Sequence, residues 1–142
     1  MSRTYSHLFG FRIFAGNMDE ALARIAEMAA QEMPAHVTFV TATRLIKARL
    51  MKKHAAVLNA ATMLLPEGRG MNWVARRFGE PLAGHLAPSD VFMNVLRGAI
   101  DHKQSLFFLG SKPDTILAAI TNLRKSFPDM RIIGSYHGYF KG

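Results

Sequence analysis

The sequence contains no cysteine, which excludes disulfide frameworks, thiolate metal sites and thiol nucleophiles and fits a reducing compartment. Long apolar runs are missing too, and nothing approaches the roughly 20 residues of a membrane-spanning helix. The N-terminal MSRTYSHLFGFRIFAG is broken by Gly10 and Arg12 and makes a poor signal peptide. Acids are scarce: 10 Asp and Glu stand against 18 Lys and Arg, a formal charge of +8. Such an excess points to an anionic partner, whether nucleic acid, a phosphorylated metabolite or the surface of an acidic membrane. No internal repeat, low-complexity tract or linker interrupts the 142 residues, of which 49% are hydrophobic. One globular domain over residues 1–142 is expected, able to remove roughly 70% of its unfolded surface from water.

Asn17 followed by Glu20 reads as a capping box, and Met18, Ala21, Leu22, Ile25, Met28 and Ala29 then keep one helical face apolar, predicting a helix that ends near Pro34. HVTFVTAT, residues 36–43, is short and β-branched and reads as a strand; the next segment, 44–61, lacks breakers and reads as one or two helices. MLL at 63–65 is a brief buried strand, followed by the turn PEGRG and a helix over about 71–78. Ser89 is placed to cap a helix with an apolar stripe at Val91, Phe92, Val95, Leu96, Ala99 and Ile100. SLFFLG at 105–110 is a strand, Pro113 suits the first turn of the following helix, and MRIIGSY is the last strand. Phe9, Phe11 and Phe14 read as core or edge-strand packing. Alternating strands and helices predict an α/β fold with right-handed crossovers and a mostly parallel, covered sheet, Rossmann-like with helices on both faces. The last strand has no following helix to cover one face, so a partner or further chain is expected to complete it.

Ligands of open parallel sheets bind at the carboxyl ends of the strands. Four stretches should meet there: Thr41-Ala42-Thr43, Glu67-Gly68-Arg69-Gly70, Gly110-Ser111-Lys112-Pro113 and Tyr136-His137-Gly138. Glu67 is the acid among them. It can take a proton from an attacking hydroxyl, or it can simply favour the positive end of the next helix. Gly68 and Gly70 suit a tight turn or a positive φ. GRGMNW lacks the third glycine of a dinucleotide fingerprint, and GSKP lacks P-loop spacing. Gly110 and Ser111 nevertheless offer N–H groups at a helix start beside Lys112, so either a phosphate or a solvated lysine fits. The six histidines show no HxH or HExxH spacing, which argues against a metal site. The basic run Arg44, Lys47, Arg49, Lys52, Lys53 spreads around its helix and reads as solvated surface, not as a nucleic-acid face.

The order LNAATMLLPEGRGMNWVARRFGEPL, SD, LFFLGSKP and SFPDMRIIGSYHGYF resembles the WecG/TagA/CpsF glycosyltransferase family from about residue 17 onward. The resemblance implies transfer of an N-acetylmannosamine-type sugar from a UDP-sugar to an undecaprenyl-pyrophosphate-linked acceptor in polysaccharide biosynthesis. It also implies no metal, no other cofactor, a cytoplasmic location at the inner face of the plasma membrane, and peripheral membrane contact; a homo-oligomer is left open. Glu67 stands where the family has the aspartate of its "PDG" turn, the proposed base. Thr41 and Thr43 fall on the threonine and asparagine of "TPN", Asp90 on the acid of "GxD", and Gly110, Lys112 and Pro113 on "GGKPG". His137, Gly138, Tyr139 and Phe140 reproduce "HGYF".

Four positions depart from the pattern: glutamate at 67, threonine at 43, His85 about where an arginine is usual, and Pro88 for the glycine before the acid. The longer side chain at 67 moves the carboxylate outward, and a misplacement of roughly 1 Å can cost on the order of a hundredfold in rate. Family members continue beyond "HGYF" through a further βα half, so these residues correspond to the first part of the family fold. A catalytically degenerate or truncated member that binds anions or nucleotides without turnover is the alternative reading.

Overall fold

The computed structural model describes residues 4–140. The elements run β1 (Tyr5–Leu8), β2 (Phe11–Phe14), α1 (Met18–Ala29), β3 (Val37–Val40), α2 (Ala42–Leu50), α3 (Lys52–Ala60), β4 (Met63–Pro66), α4 (Arg69–Arg77), α5 (Pro88–Asp101), β5 (Ser105–Leu109), α6 (Pro113–Ser126) and β6 (Arg131–Tyr136). The architecture is the expected α/β type. The chain divides into two compact units, Met1–Met93 and Asn94–Gly142, with the boundary inside α5.

The first unit holds a four-stranded sheet in the order β1-β2-β4-β3. Its β2–β4 and β3–β4 pairings are parallel, and the β1–β2 hairpin is antiparallel. The hairpin turns on Phe9 and Gly10, at φ 54 and 87, which matches the twist of the flanking strands. Of the three phenylalanines, Phe11 and Phe14 are buried, and Phe9 meets Phe78 edge-on with ring centroids 5.3 Å apart. β4 is buried along its whole length. Leu64 joins Ile13, Val40, Leu45, Met71 and Ala75 in one core cluster, while the alternating Met63 and Leu65 point to the opposite face and are buried there too.

Local chemistry sets the helix starts. Asn17 accepts from the Glu20 N–H at 3.0 Å, and the Glu20 carboxylate accepts from the Asn17 N–H at 2.8 Å, completing the predicted capping box. α1 ends at Ala29, short of Pro34. The strand expected over 36–43 stops at Val40, because the Thr41 hydroxyl caps α2 by accepting from the Arg44 N–H at 3.2 Å. The segment 44–61 resolves as two helices, broken where Met51 takes φ −124, ψ 102. α5 begins one residue before the expected cap: Ala87 accepts from the N–H groups of Asp90 and Val91, and Pro88 takes the first helical position.

The second unit pairs β5 with β6 in parallel, with a register shift between Leu106 and Phe107. The uncovered face expected at the last strand is seen here. Phe107 is 58% exposed, Leu109 64% and Ile133 64%, so one face of this two-stranded sheet stands bare. The opposite face carries the half-buried Leu106, Phe108 and Ile132 and is contacted by α6.

Candidate functional site

In the first unit, register fixes the geometry. Val40 pairs with Pro66, the last residues of two neighbouring parallel strands, so Thr41 and Glu67 leave the sheet side by side. The Glu67 N–H donates to the Val40 carbonyl at 2.9 Å, extending the ladder and pinning the half-buried Glu67 backbone. Gly68 follows at φ 84, ψ 157, a conformation essentially closed to residues with a Cβ, and α4 begins at the next residue. Two helix N-termini, those of α2 and α4, therefore start next to the Glu67 backbone, and their partial positive charges favour an anion there.

The other predicted residues of this unit take distinct positions. Thr43 is exposed in the first turn of α2. Gly70 lies within the first turn of α4 and has no positive φ; open space surrounds the place a Cβ would occupy, so it keeps that turn bare without being needed for the bend. Asp90 lies in the first turn of α5. His85 is exposed in the segment that follows α4.

That segment is tethered by residues that the motifs of the sequence do not single out. The Asn72 side chain donates to the Gly84 carbonyl at 3.5 Å, and the Ala83 N–H donates to Ala15 at 2.8 Å. Buried Ser6 donates to the Pro81 carbonyl at 3.5 Å, and the Glu80 carboxylate accepts from the His7 N–H at 3.3 Å. A polar Ser6 at an inward position of an alternating strand was the readable clue; Asn72 offered none.

In the second unit, the loops after β5 and β6 meet. The Gly110 N–H donates to the Tyr136 carbonyl at 3.0 Å, and the Gly138 N–H donates to the Ser111 carbonyl at 3.0 Å. The two backbones lie so close that a Cβ at Gly138 would stand 3.2 Å from the Gly110 Cα. Gly110 thus spends its N–H on the fold and does not offer it to a ligand as expected. Ser111 is held at φ 65, uncommon for a residue with a side chain, and Lys112 stands at the N-cap of α6 with Pro113 next. His137 stacks on Tyr136 with ring centroids 4.4 Å apart, and its Nδ1 is buried with no hydrogen-bond partner among the described residues. Gly110, Ser111, Lys112 and His137 are therefore neighbours, as are Thr41 and Glu67 in the first unit. Among the described residues, no group of three or more His, Asp or Glu side chains is placed to hold a metal ion, and no helix is long and apolar enough to cross a membrane.

The family model for glycosyl transferases of the WecG/TagA/CpsF family matches residues 6–142. A relative from Bacillus spizizenii, named N-acetylglucosaminyldiphosphoundecaprenol N-acetyl-beta-D-mannosaminyltransferase, is 34% identical over 89 residues, 63% of this chain and 35% of the relative. A protein of the same name from Bacillus subtilis is 30% identical over 83 residues, 58% of this chain and 32% of the relative. The matched part spans about a third of the length of these relatives.

Proposed function

The chain belongs to the WecG/TagA/CpsF glycosyl transferase family, and from that premise we propose that it serves in transfer of an N-acetylmannosamine-type sugar. The donor is a UDP-sugar, and the acceptor is a sugar on undecaprenyl diphosphate, in cell-surface polysaccharide synthesis. The names of both Bacillus relatives support this acceptor and this sugar. In this reading the Glu67 carboxylate takes the proton of the acceptor hydroxyl as its oxygen attacks the anomeric carbon. The bond from that carbon to the diphosphate oxygen breaks, and its electron pair leaves with UDP.

Roles divide by unit. In the first, Thr41 and Thr43 hydrogen-bond the sugar, and the starts of α2 and α4 oppose developing negative charge. Gly68 and Gly70 let substrate approach the backbone, Asp90 contacts sugar hydroxyls, and His85 stands about where the family has an arginine. In the second, Ser111, Lys112 and His137 bind phosphate oxygens, with Gly110 shaping their turn.

The observation that carries the reading is the Glu67 backbone locked to Val40 beside Thr41, between two helix starts. The test supplies UDP-N-acetylmannosamine and a polyprenyl-diphosphate-linked N-acetylglucosamine. Product should form with the wild-type chain and fall about 10²- to 10⁴-fold in Glu67→Gln, with an unchanged circular dichroism spectrum. Full activity in the variant would remove Glu67 as the base. Calorimetry that finds no binding of UDP over ADP by the wild-type chain would remove the donor assignment.

A further inference from the structure

From Pro34 through Pro66 the sequence has no Asp or Glu, yet Arg44, Lys47, Arg49, Lys52 and Lys53 all fall within it. These cations spread around α2 and α3, but the first two share a face. Arg44, Lys47 and Ala48 stand at the i, i+3 and i+4 positions of α2, and His54, Val57 and Leu58 repeat that spacing on α3. His36, just ahead of β3, and Thr38 within it are two residues apart and lie on one side of the strand. The three faces meet around a cleft of about 480 Å³ that these residues line. A period of 3.6 on two helices and of 2 on a strand thus converges on one cavity.

The cleft is held in shape from several sides. Ala48 is buried and Leu58 half-buried, and with Val57 they make an apolar floor. The Arg44 guanidinium is steadied by donating to the Phe39 carbonyl at 3.3 Å, which leaves its other N–H groups for a ligand. His36 is fixed through its backbone: its N–H donates to the Thr62 hydroxyl at 3.0 Å, and its carbonyl accepts from the N–H groups of Thr62 at 2.8 Å and Met63 at 3.2 Å. No carboxylate lines the cleft. Two permanent cations, Arg44 and Lys47, match the charge of a phosphate monoester near neutral pH, and the Thr38 hydroxyl and two imidazoles add hydrogen-bonding groups. A monocarboxylate would leave one cation unmatched. Inorganic phosphate would leave the apolar floor without contact, and the cavity has the size of a small-molecule site, not of a nucleic-acid track.

We propose that this cleft binds a small soluble organic phosphate, with the phosphate on Arg44 and Lys47 and the carbon body on Ala48, Val57 and Leu58. Thr41 and Glu67 line no part of it, so the site is separate from that pair and the inference does not depend on sugar transfer.

The test titrates the full chain with phenyl phosphate by calorimetry, with inorganic phosphate and phenol as the two halves of the probe. Phenyl phosphate should bind roughly tenfold more tightly than inorganic phosphate, because the ring covers the apolar floor, and phenol should give no binding heat. Carbon-13 methyl resonances of Ala48, Val57 and Leu58 should move during the same titration, which places the ligand. Lys47→Gln should weaken binding about tenfold. Val57→Glu, at a position 56% exposed, sets a carboxylate among the cations and should weaken it about tenfold or more, while Val57→Gln, of the same size without the charge, should retain more of it. Circular dichroism confirms that each variant is folded. The absence of binding heat with phenyl phosphate at millimolar concentration overturns the proposal. Equal affinity for inorganic phosphate overturns it too, since the apolar floor would then play no part. Methyl shifts confined to residues outside the cleft, or binding that Lys47→Gln and Val57→Glu both keep, would put the anion elsewhere and overturn it as well. None of these readouts uses UDP or an acceptor, so they fail independently of the transfer reading.

Discussion

The strands Met63–Pro66 and Ser105–Leu109 look alike in sequence, each a short apolar run leading into a turn and a helix, yet their surroundings are opposite. The first lies between two partners with both faces buried; the second has one strand partner and shows Phe107 and Leu109 to solvent. Apolarity along a strand therefore reports that it can be buried, not how many layers bury it. The turns that follow differ in the same way. After β4 the reversal is made by a glycine at φ 84; after β5 it is made by Gly110 and by Ser111, a residue with a side chain held at φ 65.

The largest expected contrast tests burial. Leu65→Ala should lower stability by about 2–5 kcal/mol, read as a shift of the urea midpoint at constant slope. Next comes the turn in the first unit: Gly68→Ala should cost about 1–3 kcal/mol, since the conformation is closed to a Cβ although space around it is open. The matching turn in the second unit should respond in the opposite sense, Ser111→Gly gaining up to about 1 kcal/mol in the same measurement. The smallest effect belongs to Leu109→Ala, under about 0.5 kcal/mol for a side chain 64% exposed. If Leu109→Ala instead cost as much as Leu65→Ala, the bare face would be covered in solution and the contrast between the strands would vanish.

Where a side chain speaks to its own backbone, the sequence was readable. The Asn17–Glu20 box and Pro113 at the start of α6 appear as expected, because a cap is complete within a few residues. Thr41 was misread as strand because β-branching and capping pull a threonine in opposite directions, and the start of a helix decided between them. The hairpin at Phe9-Gly10 lacks the Asn-Gly or Asp-Gly signal of its turn class, so only strand pairing reveals it. For the candidate site, the spacing of Thr41 and Glu67 behind two apolar runs was legible, and the Val40–Pro66 register explains why. The tethers from Ser6, Asn72 and Glu80 were not, since each joins residues whose proximity depends on the finished fold.

The strand order carries a further consequence. β4 is the last of this sheet's four strands along the chain, but it lies between β2 and β3, which do not pair with each other. During synthesis the β1–β2 hairpin can close as soon as it leaves the ribosome, because its contacts are local. β3, in contrast, waits with an unpaired edge through all of α2 and α3 until Met63–Pro66 emerges. That interval is when a nascent chain is open to wrong pairing. A pause in translation before Met63–Pro66 has left the ribosome would lengthen the wait, and one after it has emerged would let the sheet close first.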